Sequence, residues 1–246
     1  MMMNKIPEIN RARGYFVYTA DGKRYLDMAL EGGRLIMGHR QKGYALALKN
    51  AIDKGILPGY PSPYAYRLKQ AVKALLGKEC FVYLFKSEER AREVLGSITP
   101  DPIKSDINLD VPEILILPVP VDFAPGIVVS ATELDLADEP VSPVILSGAV
   151  RALYNLKAFL AERDYTEWEK AGIVDACGDR WKVDLPYIYP MCEPDNYPAV
   201  WDAFFEAGII LSTDYDKPSL LPPSGELSDG TKKKLLKLLC EMPTIK

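Results

Sequence analysis

Apolar and polar positions change period several times along the chain, and each change marks an element. Tyr15-Phe16-Val17-Tyr18-Thr19 and Arg24-Tyr25-Leu26-Asp27 flank Asp21-Gly22. That pair favours a tight turn, so residues 14–28 read as a β-hairpin. Residues 41–54 carry Tyr44, Leu48, Ala51 and Ile52 at helical spacing and stop at Gly55, where a left-handed residue suits a helix end. After the rigid 59–64 loop a second helix is expected. Ser62 caps it, Pro63 suits its first turn, Leu68, Ala71, Val72, Leu75 and Leu76 face inward, and Gly77 ends it. Phe81 to Phe85 is a buried-type strand, and Ser87 caps a short helix through Leu95.

From Thr99 to Pro143 the pattern is weak and proline-rich, with two short strand-like runs, Ile114 to Leu117 and Ile127 to Val129. An amphipathic helix is predicted from about Ser147 to Arg163, with Val150, Leu153, Tyr154, Leu156 and Leu160 on its apolar face, and a short helix from the Asp164 cap. Arg180 to Asp184 and Tyr187 to Tyr189 read as strands. Residues 196–207 read as a helix with Val200, Trp201, Phe204 and Phe205 inside, ended by Gly208 and followed by the strand Ile209 to Ser212. Ser228 caps a last helix with Leu235, Leu236, Leu238 and Leu239 on one side. Helices and strands alternate at both ends, which makes the class mixed α and β. Three segments are expected: 1–96, an acidic, proline-rich bridge at 97–143, and 144–246.

Composition narrows the chemistry. His39 is the one histidine, so a histidine-rich metal site or a two-histidine acid/base pair cannot come from one chain. Cys80, Cys177, Cys192 and Cys240 lie far apart without paired spacing, read as reduced thiols, and do not cluster with acids as metal ligands. No metal is expected. The net charge of −4 combines +8 in residues 1–100 with −12 in residues 101–246. Residues 101–139 hold nine acids against Lys104. Such a run either docks on the basic first third or stays solvated. The bases of residues 1–100 form no recognisable reader motif, so nucleic acid is not an expected partner. The apolar stretch 114–129 is broken by Pro118, Pro120, Asp122 and Pro125 and cannot span a membrane. Without a signal-like apolar run near Met1, the expected compartment is the cytoplasm.

The run from Arg13 to Asp27, with its Asp21-Gly22 and Tyr25-Leu26-Asp27, followed by Gly38-His39, resembles the opening of class III pyridoxal-phosphate (PLP) aminotransferases and of glutamate-1-semialdehyde aminomutase. The order continues with Pro61 to Tyr64, the helix to Gly77, the strand 81–85, and a C-terminal part (Tyr197, Phe204, Phe205, Gly208 to Leu211, the helix from Ser228) similar to the family's small lobe. The resemblance implies a reduced fold-type-I PLP-transferase-like architecture: a small-lobe sheet with covering helices plus a remnant of the large domain. It also implies a homodimer, with Gly32-Gly33, Arg34 and Gly38-His39 forming a small-molecule pocket at its seam. His39 would be the group suited to proton transfer near neutral pH. The plainer alternative is that His39 caps or fills a helix entry.

Two departures separate the chain from that family. Its phosphate turn reads S-G-x-E-A, with small residues that let helix N-terminal amides hold the cofactor phosphate. Here the run is Ser87-Glu88-Glu89-Arg90-Ala91, which places carboxylates where a phosphate would sit, although glutamates in a first turn also complement the helix dipole. About 50 residues separate Ala91 from Pro143, with Lys104 the one lysine among them, and neither the pyridine-pairing aspartate motif nor the Schiff-base lysine motif of the family is recognisable. The expectation is an aminotransferase-like protein without PLP-dependent catalysis, binding no PLP and acting as a dimeric binding or structural protein. The alternative is a reduced PLP enzyme that needs a partner subunit, such as a full-length aminotransferase, or an enzyme with unrelated chemistry at the old cleft.

Overall fold

The computed structural model describes residues 2–96, 114–178 and 180–241. In chain order the elements are β1 (Ile9–Arg13), β2 (Phe16–Thr19), β3 (Arg24–Asp27), α1 (Tyr44–Asp53), α2 (Pro63–Leu76), β4 (Phe81–Phe85), α3 (Glu88–Leu95), β5 (Ile114–Ile116), β6 (Gly126–Ser130), α4 (Pro143–Glu162), α5 (Thr166–Lys170), α6 (Ile173–Cys177), β7 (Trp181–Asp184), β8 (Tyr187–Pro190), α7 (Tyr197–Glu206), β9 (Ile209–Ile210), β10 (Ser219–Leu220) and α8 (Asp229–Glu241). They form two compact units, Met1–Arg40 with Glu162–Lys246, and Gln41–Ala161. The division falls at 40 and 161 rather than at 96 and 143, because the N-terminal strands fold with the C-terminal part of the chain.

In the first unit the hairpin β2–β3 is extended by β1 on one side and by β9 on the other, giving the order β1-β2-β3-β9. β9 runs parallel to β3, with Leu26 opposite Ile209 and Asp27 opposite Ile210. A second sheet, β10-β8-β7, is antiparallel. Trp168, Trp201, Tyr187, Tyr197 and Phe204 are fully buried between these elements. Large aromatics bury well when their polar ends find acceptors. Trp168 Nε1 donates to Pro222 O at 2.7 Å, Trp201 Nε1 to Leu211 O at 3.0 Å, and the Tyr197 hydroxyl to Ser212 O at 2.6 Å.

The second unit is built on the antiparallel sheet β4-β6-β5. Tyr83, Phe85, Ala91, Leu95, Ile116 and Val128 form a core cluster that joins α3 to this sheet. Gly126 makes the join: a Cβ there would lie 2.1 Å from Ser87 O and 2.9 Å from Ala91 Cβ. β4 is an edge strand, and its open side is taken by the segment after β6. Glu139 N donates to Leu84 O at 2.8 Å, and Leu84 N donates to Asp138 Oδ1 at 3.0 Å.

The hairpin, both helices after it, β4 and its Ser87 cap stand where the sequence pattern placed them. Other expectations are corrected. β1 and α6 were not foreseen, and the Ser62 hydroxyl makes no capping hydrogen bond although Ser62 is the N-cap of α2. α4 starts at Pro143 rather than Ser147. Its buried face is Leu146, Ala149, Ala152, Leu153 and Leu156, while Tyr154 is exposed, because small residues rather than the large ones carry the packing. α4 with α5 is also long and apolar enough by length and composition to cross a membrane, a test that a packed core helix passes equally. On α8, Lys232 bonds Glu167 at 2.8 Å. The acidic run does both things foreseen for it: Asp138 and Glu139 dock, while Asp122, Glu133 and Asp135 are exposed. Its remaining acids, Asp101, Asp106, Asp110 and Glu113, lie outside the described residues together with Lys104. The four cysteines are free, with the Cys177 and Cys240 sulfurs 3.5 Å apart.

With the Ser87 carbonyl this close, Gly126→Ala will lower unfolding stability by about 2–3 kcal/mol, the usual cost of overpacking a filled core. Gly59→Ala, which meets open space, will stay within about 0.5 kcal/mol of the parent. Urea unfolding of the two variants measures the difference, and equal midpoints would contradict the contact.

Candidate functional site

Strand β4 runs through a short turn into α3, an arrangement whose helix N-terminus is suited to an anion. Ser87 is the N-cap, and its Oγ accepts the Arg90 N–H at 3.2 Å. The anion at this turn is the chain's own. Glu139 Oε1 accepts from Arg90 Nε at 2.7 Å, and Glu139 Oε2 accepts from the Lys86 N–H at 3.3 Å. Arg90 also reaches Glu93, at 3.1 Å, and Glu88 is drawn along the helix to Arg92. Backbone pairing at Leu84 fixes where Glu139 sits, and Lys69 holds the neighbouring Asp138 at 2.6 Å. The Arg90 hydrogen bond is the chief reason the Glu139 carboxyl is held below the usual carboxylate range. Glu139 thus holds the Lys86 amide and the Arg90 guanidinium, and Glu88 and Glu89 add two carboxylates in the first turn of α3, a charge balance that opposes a second anion.

A second constellation lies in the other unit. Asp27, at the end of β3, accepts the N–H groups of Ala29 and Leu30 on Oδ1 at 3.0 and 3.2 Å. Its Oδ2 is 2.8 Å from His39 Nε2. The backbone of His39 bridges to Gly14, with the His39 N–H donating to Gly14 O at 2.7 Å. Gly38 permits that approach, since it has φ +69° and a Cβ there would stand 2.5 Å from Gly14 O. The loop between these anchors turns through Leu30, Glu31, Gly32 and Gly33, all at positive φ, a conformation that is costly for leucine and glutamate. His39 is thus not at a helix entry, since α1 begins five residues later at Tyr44; it pins the loop.

A cleft of about 690 Å³ opens beside this loop. Val17, Leu30 and Ile210 give it an apolar floor, and Asp27, Glu31, Asp214 and Lys217 give it a charged wall. Of the residues singled out from sequence, Gly32 lines the cleft directly, His39 reaches it through Asp27, and Arg34 reaches it through its ion pair with Glu31. A Cβ on Gly33 would press on Pro218 and the Tyr187 ring, at 3.2 and 3.3 Å. Sequence reasoning missed Asp27 as the organiser of this loop and Glu139 as the occupant of the turn. Asp27 closes the Tyr25-Leu26-Asp27 motif, so its signal was present. Glu139 lies 49 residues from Arg90 and carries no local one. Among the described residues no group of three or more His, Cys, Asp or Glu is placed to hold a metal ion.

No protein-family model matches the chain. An uncharacterised protein of Borreliella burgdorferi is 27% identical over 239 residues, which cover 90% of this chain and 86% of that protein. Glutamate-1-semialdehyde 2,1-aminomutase of Thermus thermophilus is 36% identical over 67 residues, covering 27% of this chain and 16% of the enzyme. Among solved structures, ornithine δ-aminotransferase of Plasmodium falciparum superposes with a TM-score of 0.70 over 97% of this chain and 94% of that one, at 11% identity. The chain has the fold of class III PLP aminotransferases in a shortened form, as the sequence resemblance implied.

The Glu139 bond has a pH signature. A carboxyl held below its unfolded value adds stability that is present above the ordinary carboxylate range and lost as pH falls through its lowered value. Carbon-detected NMR titration will find Glu139 protonating below the ordinary range, and Arg90→Gln will move it back up. An unchanged titration in that variant would show that Arg90 is not the cause.

Proposed function

We propose that this chain is a non-catalytic relative of the class III aminotransferases, binding no PLP and acting as a homodimeric binding or structural protein. The observation that carries the proposal is the Glu139 carboxylate on the donors of the Ser87 turn, with Glu88 and Glu89 in the same first turn. Placing a phosphate dianion there means expelling an ion-paired carboxylate and then facing Glu88 and Glu89, like charges that oppose a second anion.

Five large apolar side chains of α1, α2 and the loop between them, Leu46, Ile52, Leu57, Tyr60 and Tyr66, are 61–67% exposed. Exposed apolar surface of this extent favours burial against a partner. A second copy is the partner that the fold suggests, since the family resemblance implies dimers.

A second reading keeps chemistry at the cleft beside Asp27. A histidine held by a carboxylate is poised for proton transfer. Three carboxylates against one lysine on the cleft wall suit an amine-bearing small molecule.

Two measurements test the proposal. With PLP added at stoichiometric concentration, the spectrum will show no band of lysine-bound cofactor and borohydride will trap no adduct; a trapped lysine adduct would overturn it. Light scattering will give a dimer at micromolar concentration that Ile52→Lys with Tyr66→Lys converts to monomer, and a monomeric parent would contradict the dimer.

A further inference from the structure

The second unit holds a cleft of about 350 Å³ where α1, α2 and α4 meet, and its chemistry is the reverse of the acidic cleft beside Asp27. Lys54, Arg67 and Arg151 line it together with Asn50, Tyr64 and Tyr154, and its lining contains no carboxylate. The cations are set by one buried ring. Lys54 Nζ lies 5.3 Å from the centroid of Tyr64 and donates to its hydroxyl at 3.1 Å, and Arg67 Cζ lies 5.8 Å from the same centroid. Arg151 is oriented from the opposite helix by the bond from its Nε to Lys42 O, at 3.1 Å.

Four other cations of this unit are neutralised in place, Lys69 by Asp138, Lys73 by Glu79, Arg90 by Glu139 and Arg92 by Glu88, while Lys42, Lys49, Lys78, Lys86 and Lys157 form no ion pair among the described residues and do not line this cleft. Lys54, Arg67 and Arg151 form no ion pair among the described residues. Three like charges around one concavity repel one another, and a bound anion converts that repulsion into attraction. Guanidinium forks match the geometry of phosphate oxygens, and the Asn50 amide adds neutral donors.

We propose that this cleft binds a small diphosphate-bearing compound through Lys54, Arg67 and Arg151. Its volume leaves room for a modest organic group beside the phosphates, against the exposed face of Tyr154. The site is independent of the Ser87 turn, so it stands whether or not that turn is closed to PLP.

Calorimetric titration of the full chain with inorganic pyrophosphate tests it, since pyrophosphate cannot form a lysine adduct. Saturable binding is expected at low ionic strength, weakened about tenfold by Arg67→Gln and by Arg151→Gln, weakened by added salt, and unmoved by Lys233→Gln on the exposed face of α8. Citrate, with three carboxylates, should bind at least tenfold more weakly. Absence of saturable binding, binding as tight as the parent's in either arginine variant, or citrate binding as tight as pyrophosphate would each overturn the proposal.

Discussion

An edge strand leaves a row of backbone groups that need partners, and β4 meets that need with a segment that begins eight residues past β6. Asp138 and Glu139 take the N–H and the carbonyl of Leu84, and this pairing delivers the Glu139 carboxylate to the turn before α3. The same contact therefore covers the open edge of β4 and brings a carboxylate beside the turn that leads into α3. Gly126 enforces it from the other side, because the Ser87 carbonyl rests where its side chain would be.

The first unit shows a comparable use of a carboxylate. Asp27 caps the strained loop that follows β3 and ties it to His39, which in turn pairs its backbone with Gly14. One aspartate thus fixes the loop that forms a wall of the acidic cleft. The two units offer opposite electrostatics, an acidic cleft beside Asp27 and a basic one beside Tyr64, each defined within its own unit.

Elements governed by local chemistry were legible in the sequence. Asp21-Gly22 dictated the hairpin, Gly77 the end of α2, and Ser87 the start of α3, because turn and cap preferences act over a few residues. β1 was missed because Ile-Asn-Arg-Ala-Arg lies mostly exposed and does not alternate. The start of α4 was missed because its buried stripe depends on Gly148, Ala149 and Ala152, which counting large apolar residues overlooks. The Ser87–Glu88–Glu89 departure was visible, but its completion by Glu139 was not, since a charge run reads the same whether it docks or is solvated. The basic cleft draws on residues 54, 67 and 151, a spacing with no local signature.

The Lys86 amide and the Arg90 guanidinium hold the chain's own Glu139 carboxylate. Chemical shifts of the Lys86 amide and of the Arg90 Nε–H group, followed as PLP is added, report on that position directly. Both stay unmoved at cofactor concentrations that saturate a functional aminotransferase if Glu139 keeps its place. A saturable shift of both would show that the cofactor phosphate displaces Glu139, and would contradict that arrangement.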